Sequence, residues 1–202
     1  MLKEKAMSRF VVVIDIQNDF MRPEGKLYVP GAEEIINPIS DYIRNLDSDI
    51  GVLFTYDTHF EENYHLSEES KQFPIHCVKD SWGWELSIVS EETEEEFSWD
   101  NLFYLDKNFF DMWYQRHINV YDYDDVIIAP REEFFKNLMQ FDGVDTITVI
   151  GVASDYCVLD AIWGFVHRGF KVEVIRDLTK GIVRQIDQVI EEEFPQGSVI
   201  II

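Results

Sequence analysis

Phe10-Val-Val-Val-Ile-Asp-Ile16 is the stretch on which the fold turns. Its apolar residues follow one another without alternation, so as a strand it is buried on both faces, and Val and Ile suit a pleated backbone. Working outward, similar runs recur at Ile50–Tyr56, Leu102–Leu105, Thr146–Ile150, Lys171–Ile175 and Val199–Ile202. Between them, Ala32–Leu46, Arg131–Phe141, Asp155–Arg168 and Arg184–Glu193 place apolar residues at helical spacing, as in Val158, Ile162, Phe165 and Val166. Pro38 either kinks the first helix or lies at its start with Asn37 as cap. Doubly buried strands alternating with helices predict a three-layer α/β/α fold around a doubly wound, mostly parallel sheet.

The 202 residues suit one domain, 1–202, since no linker, repeat or low-complexity segment interrupts them. Phe60–Asn101 carries no clear strand, and its acidic run Glu91–Glu96, flanked by Trp82, Trp84 and Trp99, reads as solvated surface.

With 39 acids against 17 bases the chain carries a formal charge of -22, which repels nucleic acid and anionic membranes. The apolar run at the N-terminus is too short to span a bilayer, and the expected location is the cytoplasm. The two cysteines, Cys77 and Cys157, are expected as free thiols.

In an open parallel sheet, ligands bind beyond the carboxyl ends of the strands. Asp15 ends the first strand, Asp57 and His59 follow the second, Lys107 the third, and Cys157 the fourth. Within Gly151-Val-Ala-Ser-Asp-Tyr-Cys157, Gly151 permits a tight turn and Ser154 or Asp155 can cap the next helix. A thiol in that first turn is favoured as a thiolate by the helix N-terminus and by a cation such as Lys107. Asp15 would carry the thiol proton to a leaving amine, with Lys107 as its partner. Asp57 and His59 share one face of an extended segment and can bind one metal, with His76 as third ligand and His65, Glu68 or Glu69 as fourth. Such ligands suit Zn, Fe or Mn. Alone, Cys157 would read as a small buried hydrophobe and Asp15 as a structural acid, and the convergence argues against both. His117 and His167 read as ordinary surface or core histidines, and Cys77 as packing.

With these residues in view, the chain resembles the nicotinamidase branch of the isochorismatase-like cysteine hydrolases along essentially its whole length. The matching pieces are Val13-Ile-Asp-Ile-Gln-Asn-Asp-Phe20, Tyr56-Asp-Thr-His59, Phe73-Pro-Ile-His-Cys77, Asp106-Lys107 and Gly151-Val-Ala-Ser-Asp-Tyr-Cys-Val158. The resemblance implies an Asp15–Lys107–Cys157 triad, a metal on Asp57, His59 and His76, a cis Val152–Ala153 peptide, and an oxyanion hole made by the N–H groups of Ala153 and Cys157. Members differ in the fourth ligand, and the context here favours Glu69 over His65. The resemblance further implies one divalent metal, zinc first, and hydrolysis of nicotinamide to nicotinate and ammonia, a step in NAD salvage. Phe20 and Phe73, with Gln17 and with Phe110 or Tyr114, are then expected around a small amide substrate, and a homo-oligomer is compatible. Cys157 argues against the isochorismatase reaction, and the metal set against carbamoyl-amide hydrolases. A signalling receiver would share Asp15, Asp57 and Lys107 but leave Cys157, His59 and His76 unexplained. A catalytically dead homologue would be expected to lack a triad member.

Overall fold

The computed structural model describes residues 9–67, 69–88 and 101–202. Its frame is an eight-stranded sheet: β1 (Arg9–Ile14), β2 (Gly51–Asp57), β3 (Leu102–Lys107), β4 (Asn119–Asp122), β5 (Ile127–Pro130), β6 (Thr146–Val152), β7 (Lys171–Lys180) and β8 (Val199–Ile201). The helices are α1 (Asn18–Met21), α2 (Ile36–Arg44), α3 (Arg131–Gln140), α4 (Cys157–His167) and α5 (Ile186–Glu193). The strand order is β5-β4-β3-β2-β1-β6-β7-β8. Neighbours from β3 to β8 are parallel, whereas β4 runs antiparallel to both β3 and β5.

β1 lies within the sheet, which is why it reads as an unbroken apolar run. Phe10, Val12 and Ile14 face a core built with α3, α4 and α5, including Phe135, Ile162, Phe165 and Val189. Val11 and Val13 face the other side, where Ile36, Ile39 and Ile43 of α2 cover them. These faces make the three layers. The chain leaves β1 for β2 and β3 on one side and returns through β6 on the other, so the carboxyl ends of β1 and β6 flank a topological switch point.

Several boundaries differ from those expected. β1 stops at Ile14 because Asp15 takes a left-handed φ of 47°, which breaks the extended chain. α2 starts at Ile36 after a 3-10 turn at Ala32–Ile35, so Pro38 falls in its first turn, where no N–H is required, and Asn37 does not cap it. α4 begins at Cys157 with no side-chain cap, so neither Ser154 nor Asp155 has that role. The β4–β5 hairpin was not expected, since its four-residue strands lie at the sheet edge and lack the long Val/Ile pattern. The acidic run at 91–96 and Trp99 lie outside the described residues. No described helix is long and apolar enough to cross a membrane.

Candidate active site

Sheet register brings the charged groups together. Ile14 pairs with Thr55, and Asp57 with Lys107, so the ends of three adjacent strands lie at one level. Ile14 also pairs with Gly151 of β6. A Cβ on Gly151 would lie 2.2 Å from the Ile14 carbonyl oxygen, and its φ of 112° suits glycine, so Gly151 lets β1 and β6 close at the switch point.

The thiol side is an ionic cluster sealed from water. Lys107 Nζ lies 2.7 Å from Asp15 Oδ2, 3.6 Å from Asp57 Oδ1 and 3.7 Å from Cys157 Sγ. Thr55 Oγ1 donates to Asp15 Oδ1 at 2.6 Å and accepts from the Asp15 N–H at 3.2 Å, which fixes the carboxylate. Burial opposes the Lys107 charge, but Asp15, Asp57 and the adjacent Cys157 hold its pKa well above the ordinary lysine value. Burial raises Asp15, with Lys107 opposing. Burial also pushes the Cys157 thiol well up, more than Lys107 lowers it. Asp15 lies beside the Cys157 thiol and is the natural acceptor for its proton.

The metal side abuts this cluster through Asp57. Asp57, His59, Glu69 and His76 are all buried, and one ligand atom from each lies within 4.8 Å of the others. Asp57 Oδ2 is 3.1 Å from His59 Nε2 and 2.9 Å from His76 Nε2, and Glu69 Oε2 is 3.2 Å from His59 Nε2. Ligand atoms about 2.0–2.2 Å from one ion stand roughly 3–4 Å apart, as these do. Glu69 Oε2 is buried beside His59 without a hydrogen bond among the described residues, a state that a cation relieves. The donor set of two imidazoles and two carboxylates therefore fits a divalent metal. Burial would raise Asp57, but Lys107 and the imidazoles outweigh it and hold its carboxyl well below the usual range. Burial disfavours charge on His59, yet Asp57 and Glu69 push its pKa up to about 9.

Three of the four donor residues, Asp57, Glu69 and His76, are held from behind. His76 Nδ1 lies 2.9 Å from the Pro74 carbonyl oxygen, which leaves Nε2 free to ligate. Glu69 Oε1 accepts the Phe110 N–H at 2.8 Å. Gln17 accepts the Asp57 N–H at 2.8 Å and donates to the Asp57 carbonyl at 2.9 Å. Asp19 accepts the N–H of Cys77 at 2.7 Å and that of Lys26 at 2.9 Å, bracing the turn after His76.

Beside Cys157 lies a narrow pocket with a cavity volume of about 10 Å³, room for about one water-sized body. Phe20, Phe73, Phe110 and Tyr156 supply its aromatic wall, joined by Leu27, Val29, Val152, Ala153 and Ile182. The Val152–Ala153 peptide is cis, and neither the Ala153 nor the Cys157 N–H has a hydrogen-bond acceptor among the described residues.

The structure thus brings Asp15, Lys107, Cys157, Asp57, His59, His76, Glu69, Phe20, Phe73 and Phe110 to one place. It does not bring Tyr114, which is 68% exposed and packs against Phe109. Gln17 is spent on the Asp57 backbone and does not line the pocket. His65 is exposed on a 3-10 turn and lies outside the ligand group, as do the exposed His117 and His167. Cys77 is fully buried, and its pKa is pushed well up by burial. Sequence reasoning missed the lining residues Tyr156 and Ile182 and the supporting Thr55 and Asp19. Their positions next to Cys157 and Phe20, in pieces already under scrutiny, are the only signal the chain offers for Tyr156 and Asp19.

A thiol, a carboxylate and a fixed ammonium at the strand ends of a three-layer α/β/α fold are the groups that a cysteine hydrolase needs. The chain belongs to the isochorismatase domain family, whose model matches residues 9–189. It is similar to the nicotinamidase of Saccharomyces cerevisiae, 27% identical over 199 residues, covering 85% of this chain and 88% of that one. It is 26% identical over 194 residues to the nicotinamidase/pyrazinamidase of Mycobacterium tuberculosis, covering 95% and 96%. Among solved structures it shares its fold with the pyrazinamidase of Pyrococcus horikoshii in complex with zinc, with a TM-score of 0.72, 24% identity and coverage of 97% and 99%.

Proposed function

We propose that this protein is a nicotinamidase that hydrolyses nicotinamide to nicotinate and ammonia through a thioester on Cys157. The chain is a hydrolase acting on amide C–N bonds, as its family and its nicotinamidase relatives indicate. The observation that carries the finer reading is one juxtaposition. Cys157 Sγ, 3.7 Å from Lys107 Nζ, borders both a small aromatic pocket and, through Asp57, a four-donor metal set.

As the Cys157 sulfur attacks the amide carbon, its proton passes to Asp15. The developing oxyanion is received by the unpaired Ala153 and Cys157 amides. Asp15 then delivers the proton to the amine nitrogen as the C–N bond breaks, releasing ammonia and leaving the acyl group on sulfur. Asp15 next takes a proton from water, whose oxygen attacks the thioester, and returns it to sulfur as the C–S bond breaks; the acid so formed gives its remaining proton to solvent and leaves as nicotinate. Lys107 keeps Asp15 oriented and ionised between these transfers. The rings of Phe20, Phe73 and Phe110 enclose the substrate ring and exclude bulk water. A divalent cation on Asp57, His59, Glu69 and His76, zinc first, would supply a Lewis-acidic anchor for a ring nitrogen.

The test is ammonia release from nicotinamide, with pyrazinamide alongside, by wild type, Cys157→Ala and chelated protein. Loss in the variant and in the chelated sample, with recovery on adding zinc, supports the reading. No release from nicotinamide by zinc-supplied wild type sinks it.

A further inference from the structure

Asp155 is 9% exposed, two residues before the nucleophile, and does not cap α4. Its carboxylate instead reaches the turn between β7 and α5. Oδ1 accepts the Ile182 N–H at 2.9 Å, and Oδ2 accepts the Val183 and Arg184 N–H groups at 2.8 and 3.0 Å. The turn is tight: a Cβ on Gly181 would lie 1.9 Å from the Arg184 carbonyl oxygen, and Gln185 bonds both the N–H and the carbonyl of Gly181. The Ser154 N–H adds a stitch to the Lys180 carbonyl at 2.8 Å. Of these residues, Ile182 lines the pocket beside Cys157, whereas Val183 is 78% exposed.

We propose that Asp155 is a positioning residue that sets the width of the substrate pocket. By gathering three successive amides it holds Ile182 as one wall of the pocket, so the site accepts a single small ring and rejects a fused one. The assignment of selectivity rests on the amide-hydrolase reading of the pocket; the clamp itself does not. An ionised carboxylate can serve three donors, whereas an amide offers one acceptor oxygen and turns a donor toward backbone N–H groups. Asp155→Asn therefore releases the turn without removing side-chain volume. Asp155→Glu keeps the charge and both oxygens.

Two measurements on the full chain test this. Hydrogen exchange at the amides of 182–184 should quicken about tenfold or more in Asp155→Asn, and Asp155→Glu should restore part of the protection. Steady-state kinetics should give Asp155→Asn a KM for nicotinamide about tenfold higher with kcat within about threefold. Preference for quinoline-3-carboxamide relative to nicotinamide, as a ratio of kcat/KM, should rise about tenfold. Ile182→Ala, which leaves Asp155 in place, should move that ratio the same way. Unchanged exchange at 182–184 overturns the clamp, and a fall in kcat with no change of ratio in either variant overturns the role in selectivity. Should wild type hydrolyse neither amide while exchange behaves as expected, the nicotinamidase reading fails and the clamp stands.

Discussion

The two halves of the site are held in different ways. On the thiol side, Asp15, Lys107 and Cys157 sit at or just beyond the ends of β1, β3 and β6, and sheet register aligns them. On the metal side, Asp57 and His59 come from the end of β2, but Glu69 and His76 come from the irregular 60–88 segment. That segment has only short 3-10 turns and isolated bridges among its described residues, so hydrogen-bond clamps replace the sheet. The contrast teaches that register suffices to place charges, whereas a loop needs a dedicated partner for each ligand.

The comparison breaks most visibly at Lys107. Lys107→Ala leaves Asp15 and Asp57 buried without their cation and should lower unfolding stability by about 3–5 kcal/mol in urea denaturation. A variant as stable as wild type would show that the strand-end cluster is not held by its charges. A smaller global effect with a specific local one is expected at Glu69. Glu69→Gln should weaken zinc retention about 10–100-fold in competition with a chelator, while the metal-free protein melts close to wild type.

Asp19 tests the clamps themselves. Asp19→Asn leaves the Cys77 or Lys26 N–H without an acceptor and should cost about 1–3 kcal/mol in denaturation. It should also loosen zinc through the displaced His76 turn, read by the same competition.

The smallest effect concerns Asp160 on α4, whose pKa is pushed up to about 6 by burial and by Asp111, against Lys107. Because the folded value is raised, this group favours the fold below the unfolded carboxylate pKa, and that contribution is lost as pH rises to about 6. Asp160→Asn should therefore gain stability relative to wild type from pH 4 to 6, with a constant difference above. Melting curves across that range check it.

How far the sequence could be read follows the same division. β1, β2 and β6 announce themselves as doubly buried apolar runs, and their terminal residues then name Asp15, Asp57 and the Cys157 turn. The β4–β5 hairpin is hidden because edge strands only four residues long bury too little to impose a pattern. Spacing from Asp57 favours His65 and the Glu-Ser-Lys context favours Glu69, because the 3-10 turns that bury one and expose the other have no apolar period to betray them. Asp155 read as a cap because acids before helices usually are, and the turn it holds lies 27 to 29 residues away. Tyr114 was plausible as an aromatic after Lys107, but only the path of the chain beyond β3 tells which ring turns inward.

The pairing of Asp57 with Lys107 across β2 and β3 bears on how this chain can change over time. A one-residue insertion or deletion within β3 would turn the ammonium to the opposite face of the sheet, and a two-residue slip would carry it about 7 Å along. Neither leaves a cation between Asp15 and Asp57. Length variation is therefore tolerable in the connections between strands and lethal to chemistry within them, so related chains should differ in loop length while the count of residues through each of these strands stays fixed.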